Sequence, residues 1–236
     1  MGFCSGGSDE LTADEIGIVW LSIKVAAAAM AFALPPALAT AWMLARGTFR
    51  GKGLLQAVVT LPLVLPPVVT GYALLAVFSP NATGGRFVEW LTGAPVAFTW
   101  KGAALAAAVM AFPVLVRPIR QALEAVDAGL EEAARTLGAN RWRALATITL
   151  PLAAPGLLAG LVLGFAKALG EFGATITFVS SIPGETQTLS LAIYGLLQSV
   201  GGEGPAGRLM AFSVVLAVGA ILASEALARR LPGGGR

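Results

Sequence analysis

The feature that most constrains this chain is a series of apolar runs separated by short polar segments. A helix needs about 20 consecutive apolar residues to cross a bilayer. Runs of that kind lie near residues 17–45, 54–79, 102–119, 155–179 and 208–228. A further apolar stretch, 188–200, is too short to cross and suits an interfacial or re-entrant helix. Prolines recur in or beside the runs, at Pro35, Pro36, Pro62, Pro66, Pro67 and Pro113. Backbone groups freed by proline must be satisfied by neighbouring helices in a membrane, so several kinked helices packed together fit better than isolated anchors. The expected fold class is all-α, a polytopic membrane protein with about five spanning helices.

Composition agrees and excludes some chemistry. Of 236 residues, 56% are hydrophobic and 12% charged, where a soluble domain carries about a quarter. There is no histidine, which removes imidazole catalysis, histidine-ligated metals and a histidine pH switch. The single cysteine, Cys4, provides neither an internal disulfide nor a thiol cluster, so no metal site is expected.

The cations orient the chain. Arg46, Arg50 and Lys52 follow the first run, and Arg117, Arg120, Arg135, Arg141 and Arg143 flank or occupy the connection after the third. Arg229, Arg230 and Arg236 follow the last, and the other side holds Arg86, Lys101 and Arg208. The positive-inside rule puts the N-terminal tail outside and the C-terminus in the cytoplasm. Residues 1–15 carry Asp9, Glu10, Asp14 and Glu15 and no cation, unlike an export signal. The organisation read from this is an outer tail at 1–15, a membrane domain at 16–230 and an inner tail at 231–236. Lys24, near the end of its run, is placed to snorkel. The surplus of cations reads as orientation and headgroup contact, with no nucleic-acid partner expected.

The one sizeable polar segment is 117–150. Leu123, Val126, Leu130, Ala134 and Leu137 recur at steps of three and four, the spacing of one helix face. Glu124, Asp127, Glu131 and Glu132 fall on the other side, and Glu131 can pair with Arg135 one turn on. Gly138 ends that helix. A second helix is expected from Asn140 to Leu150, presenting Trp142, Leu145 and Ile148 and ended by Pro151. Three uses fit: a solvated loop folded back on the bundle, a helix-turn-helix for DNA, or a docking element for a cytoplasmic partner. The acidic side chains of the first helix oppose the DNA reading, since they repel phosphate.

Glu132-Ala133-Ala134, three residues to Gly138, nine to Ile148, then Leu150-Pro151 matches every signature position of a known pattern. It resembles the EAA loop of ABC importer permeases, and it sits between two spans on the inner side as that family requires. The resemblance implies a type I ABC importer transmembrane fold with a coupling loop at about 120–151. It also implies two ATP-binding subunits, each receiving one loop in a groove. Ala133 and Ala134 would allow close approach, Gly138 would turn the chain, and Glu132 would be charged at the contact. This chain has no Walker A motif, so ATP and Mg would be held by the partner subunit, with no catalytic residue or cofactor here.

Leu61–Val69, Gly170–Val179 and Ile182–Thr188 are similar to molybdate transporter permeases, and sulfate permeases share the Gly-Glu-Phe-Gly core of 170–173. That likeness implies an inner-membrane homodimer fed with molybdate by an extracytoplasmic binding protein. The residues themselves leave the pathway open. Lys167 and Glu171, four apart in one apolar run, are either a functional pair or a structural ion pair. Thr175, Thr177, Ser180 and Ser181 are hydroxyl donors to an oxyanion or ordinary contacts between helices. Gly170 and Gly173 let a helix bend or pack closely. Pro66 and Pro67 make a gate or a kinked core helix.

Overall fold

A computed structural model describes residues 13–228, and all the regular structure among them is helical. The first helix, α1 (Ala13–Arg46), buries Val25, Ala26, Ala29, Ala33, Ala37 and Ala41, small side chains that recur at helical spacing. Such residues let backbones approach closely in a membrane, where lipid is as apolar as any side chain. Next come α2 (Lys52–Val64) and α3 (Pro67–Phe78), then the short α4 (Thr83–Thr92), which leaves Phe87, Trp90 and Leu91 exposed. The central helix, α5 (Trp100–Ala125), packs against α1 through its own alanine-rich face, including Ala103, Ala107 and Ala111.

After α5 the chain forms α6 (Ala128–Thr136) and α7 (Arg141–Ala144). A π-helical turn (Leu145–Thr149) leads into α8 (Leu150–Leu169), followed by α9 (Gly173–Val179), α10 (Leu189–Leu197) and α11 (Glu203–Ala228). Burial sets the layers. In α5, 67% of the most apolar stretch is inside the protein; in α11 the share is 11%. A helix apolar all round is either a core element or a lipid-facing one. Thus α5 is the core, and α11 turns Val214, Val215, Val218 and Leu222 outward to lipid.

Polar ties fix the end of the bundle opposite the 126–140 connection. Arg208 of α11 reaches Glu15 of α1 at 2.8 Å, and the Leu189 amide donates to Ser22 Oγ at 2.7 Å. The Lys24 ammonium lies 3.7 Å from the centre of the Trp100 ring, a cation–π contact.

Among the described residues four helices are long and apolar enough to cross a membrane, and five if the bent pair α2–α3 is one span. The expected number of spans therefore holds only with a correction. The run at 54–79 is not one straight helix, because it turns through 110° between Val64 and Pro67. Pro66 and Pro67 cannot continue the helix hydrogen bonds, and Leu65 is pushed to an extended conformation ahead of them. The run at 155–179 is also interrupted, because α8 stops at Leu169 and α9 starts at Gly173. The 188–200 stretch folds as expected: nine residues of α10 cover only about 14 Å.

Candidate functional site

The connection between α5 and α8 is held by three local stops. Asp127 caps α6, its carboxylate accepting from the Gly129 amide at 2.9 Å. At the other end Gly138 adopts φ 91, with its amide bonded to the Arg135 carbonyl and the Ala139 amide to that of Ala134. That pair of bonds is a Schellman motif, and its left-handed residue is where glycine carries least strain. Asn140 then caps α7, accepting from the Arg143 amide at 2.8 Å. The expected helix, tight turn, helix is present, with different bounds.

Three local expectations fail here. The face from Leu123 to Leu137 is split, because α5 ends at Ala125 and the chain turns at Val126 and Asp127. Pro151 does not end the second helix. It sits in the first turn of α8, directly after the π-helical turn. The wider turn absorbs the missing N–H and the ring, so the helix runs on through the proline. Glu131 does not pair with Arg135. Its carboxylate takes the Arg46 guanidinium at 2.9 Å and the Thr149 hydroxyl at 2.7 Å.

That carboxylate is the joint of the loop. Arg46, from the end of α1, also donates to the Val126 carbonyl at 3.0 Å, and Thr149 is fully buried in the π-helical turn. Glu131 thus ties α6 to α1 and to the turn before α8, and Arg46 carries the tie on to the α5 terminus. The Arg46 Nε is buried without a partner, beside a cavity of about 470 Å³ bordered by Trp42, Glu132, Arg135 and Arg141. Sequence reading missed Arg46 and Thr149 because each lies far from Glu131 along the chain or in an irregular turn. Only the position of Arg46 at the end of an apolar run hinted at a fixed role.

None of the residues of α6 is fully buried. Glu132, Ala133, Gly138 and Trp142 are exposed together, and Leu137 and Trp142 retain 89% and 78% of their surface. Ala134, Ile148 and Leu150 are half-buried, and Pro151 is exposed at the start of α8. Large apolar side chains standing free on an anchored loop mark a contact surface.

A second cluster forms where α3 meets α9. Gly71 is packed so that a Cβ would fall 2.5 Å from the Ala174 carbonyl, and one on Gly173 would fall 2.6 Å from Pro67 Cβ. Pro67 and Gly173, both singled out from sequence, are therefore in contact, and close packing is the role of Gly173. Pro66 is exposed at the bend, and Gly170 only caps α8. Glu171 lies past the end of α8, so it and Lys167 do not share a continuous helix. Its buried carboxylate takes the Lys167 ammonium at 2.5 Å and the Ala174 amide at 3.0 Å, which caps α9. Thr177 donates to the Gly173 carbonyl, a bond within its own helix, and Thr175 is buried.

Residues 37–231 match the family model described as binding-protein-dependent transport system inner membrane component. The chain belongs to that family. This permease is 56% identical to the molybdenum transport system permease protein ModB of Escherichia coli K12 over 93% of its length and 96% of that protein. With the ModB of Haemophilus influenzae it shares 52% over 92% of its length and 95% of that protein. The sulfate transport system permease protein CysT of E. coli K12 is 41% identical over 77% of this chain and 64% of that one. Among solved structures, the bacterial alginate ABC transporter in complex with its alginate pentasaccharide-bound periplasmic protein superposes with a TM-score of 0.74 at 20% identity. That match covers 98% of this chain and 83% of the other, and it shows the ABC transporter permease fold.

Proposed function

We propose that this permease carries molybdate, and with it tungstate, into the cytoplasm by alternating access, driven by a separate ATPase. The observation that carries the importer reading is the anchored loop. Its outer surface offers Glu132, Ala133, Leu137 and Trp142, and its inner surface is clamped at Glu131. A partner that moves α6 pulls on α1, α5 and α8 together. The 56% identity to ModB supports molybdate. Two copies on a twofold axis would share one pathway and two ATP-binding subunits, in line with the general preference for symmetric dimers. A binding protein would deliver the oxyanion outside, as the alginate complex carries a periplasmic protein on its own transporter. ATP and Mg belong to the ATPase. The loop then faces the cytoplasm, with the N-terminus outside. The proposed bounds stand as residues 1–15, 16–230 and 231–236, whose tail residues, with Cys4, Arg229, Arg230 and Arg236, lie largely or wholly outside the described ones.

Sulfate is the second reading, favoured by the 41% identity to CysT. Reconstitution with the ATPase and the binding protein separates the two. ATP-dependent molybdate uptake should be suppressed by tungstate and spared by equal sulfate. Uptake that sulfate abolishes and tungstate leaves intact would replace molybdate by sulfate.

A further inference from the structure

Between α2 and α5 lies a cleft of about 330 Å³, bordered by Gln56, Thr60, Leu63, Arg117, Arg120 and Gln121. Its two arginines are in different states. Arg120 is fixed, donating to Gln56 Oε1 at 2.7 Å and to Glu124 at 2.8 Å. Thr60 and the Gln56 amide are bonded to each other. Arg117 donates to no protein group among the described residues, and neither does the Gln121 amide. Glu124 is the one acid in the cleft and is already engaged by Arg120, which leaves one net positive charge.

The position is as informative as the chemistry. Arg117 lies about 12 Å from the loop end of α5, exposed, where the apolar run 102–119 gives way to the polar segment that begins at 117. An exposed guanidinium with no partner among the described residues, beside a cleft, is free to take an anion through charge-assisted hydrogen bonds. Leu63 on its wall is close in sequence to the Pro66–Pro67 bend, where α3 meets α9. From Leu63 towards the loop side the cleft presents Arg117 first and then Arg120, which is held by Gln56 near the start of α2. At roughly 30 Å³ per water, the cleft has room for a tetrahedral ion with part of its hydration shell. Binding there is consequently loose, as release demands.

We propose that this cleft is a transit site for a tetrahedral oxyanion at the loop-side mouth of the pathway. Arg117 and Gln121 are its donors, and Arg120 is a fixed second charge. The proposal rests on the permease reading above, and a lipid phosphate would present the same chemistry from another source.

The test uses the full chain, purified with its ATPase subunits into nanodiscs of phosphatidylcholine, with Cys4→Ser and Leu63→Cys. Modification of the introduced thiol by an anionic methanethiosulfonate reagent is followed on its own peptide by mass spectrometry while tungstate is titrated. Tungstate should slow the reaction saturably, beyond sodium chloride of equal ionic strength. Arg117→Gln should weaken that protection about tenfold or more, because hydrogen bonds to charged groups are among the strong ones. Gln121→Leu should weaken it less, and Arg117→Lys should keep part of it. Protection no better than chloride, or unchanged in both Arg117→Gln and Gln121→Leu, overturns the site. A second set of discs contains phosphatidylglycerol. If the thiol is already shielded there and tungstate adds nothing, the cleft holds lipid phosphate and the transit assignment falls. Molybdate uptake by the unmodified transporter is scored separately. Its absence counts against the permease reading, whereas missing protection with intact uptake counts only against the transit site.

Discussion

The α3–α9 junction and the α6 loop are built on opposite principles. At the junction, backbones touch through Gly71 and Gly173, and the one charged group, Glu171, is spent on Lys167 and the α9 terminus. A side chain added at either glycine would meet backbone or a proline ring. On α6 nothing is buried, and the helix is attached through one carboxylate, one cap and one glycine turn. The first region should resist displacement, and the second is built to move as a unit if it moves at all. A packed interior is bistable and not continuously deformable. A pull on the loop should therefore reach the junction as a rigid-body movement of whole helices.

The largest effect should come from filling the junction. Gly71→Val places atoms where the Ala174 carbonyl and Thr177 Cβ, 2.5 and 2.9 Å from the added carbon, already stand. Overpacking of this kind costs about 1–3 kcal/mol, and backbone neighbours yield less than side chains. We expect a clear fall in the thermal unfolding midpoint in detergent and lost uptake. Gly195→Ala, which meets nothing within 4 Å, should unfold within error of the parent. Equal midpoints for Gly71→Val and the parent would remove the contrast.

Next comes the joint. Glu131→Ala leaves the Arg46 guanidinium and the buried Thr149 hydroxyl without their shared acceptor. Removing one partner of such a set costs about 1–3 kcal/mol. The more telling readout is coupling: ATP should still be hydrolysed while uptake per ATP falls. Arg46→Lys keeps the charge and loses the planar guanidinium whose Nη2 serves Val126 and Glu131 at once, so it should be intermediate. If uptake per ATP is unchanged in Glu131→Ala, the clamp does not transmit force.

These two regions also differ in how far sequence exposes them. Gly138 and Asn140 foretold two of the loop's stops, because each acts within a few residues, whereas Asp127, read as part of one acidic helix face, caps a new helix. Pro66 and Pro67 foretold a break, but its direction is set by Gly71 meeting Ala174, a contact between distant segments. Glu131 was misassigned to Arg135 because an i,i+4 pair is a local habit worth only about 0.2–0.5 kcal/mol. Tertiary geometry offered it a guanidinium and a buried hydroxyl, and that prevailed. Pro151 misled for a related reason: the π-helical turn that spares the helix has no pattern in sequence.

A smaller effect is expected at the turn of the loop. Gly138 has open space where a Cβ would be, so its substitution meets conformational strain and no clash. Gly138→Val should destabilise the left-handed turn by about 1–2 kcal/mol, and Gly138→Asn by less, since asparagine visits that region. Binding of the ATPase should follow the same order, read as the fraction of ATPase retained on the purified permease. Gly138→Asp falls between them in backbone strain, yet it adds a charge at the proposed contact and should reduce retention further. If Val and Asn retain ATPase equally, the turn's conformation is not what the partner reads.

The smallest effect on stability should accompany a large one on assembly, at Trp142. Its side chain is 78% exposed and anchors no neighbouring element, so Trp142→Ala should change stability by no more than about 0.5 kcal/mol. An indole that becomes buried on docking is the usual kind of interface anchor, and its loss costs about 2 kcal/mol or more of binding. The prediction is an unfolding midpoint like the parent's, with ATPase retention reduced at least severalfold. Leu137→Ala, on the same exposed surface, should behave likewise to a lesser degree. This pairing separates the two regions most cleanly. At the junction a variant cannot lose function without losing stability, whereas on the loop the two come apart. Should Trp142→Ala lower the unfolding midpoint of the permease alone, the loop would be part of the fold's own packing, and its exposed surface would need a different explanation from docking.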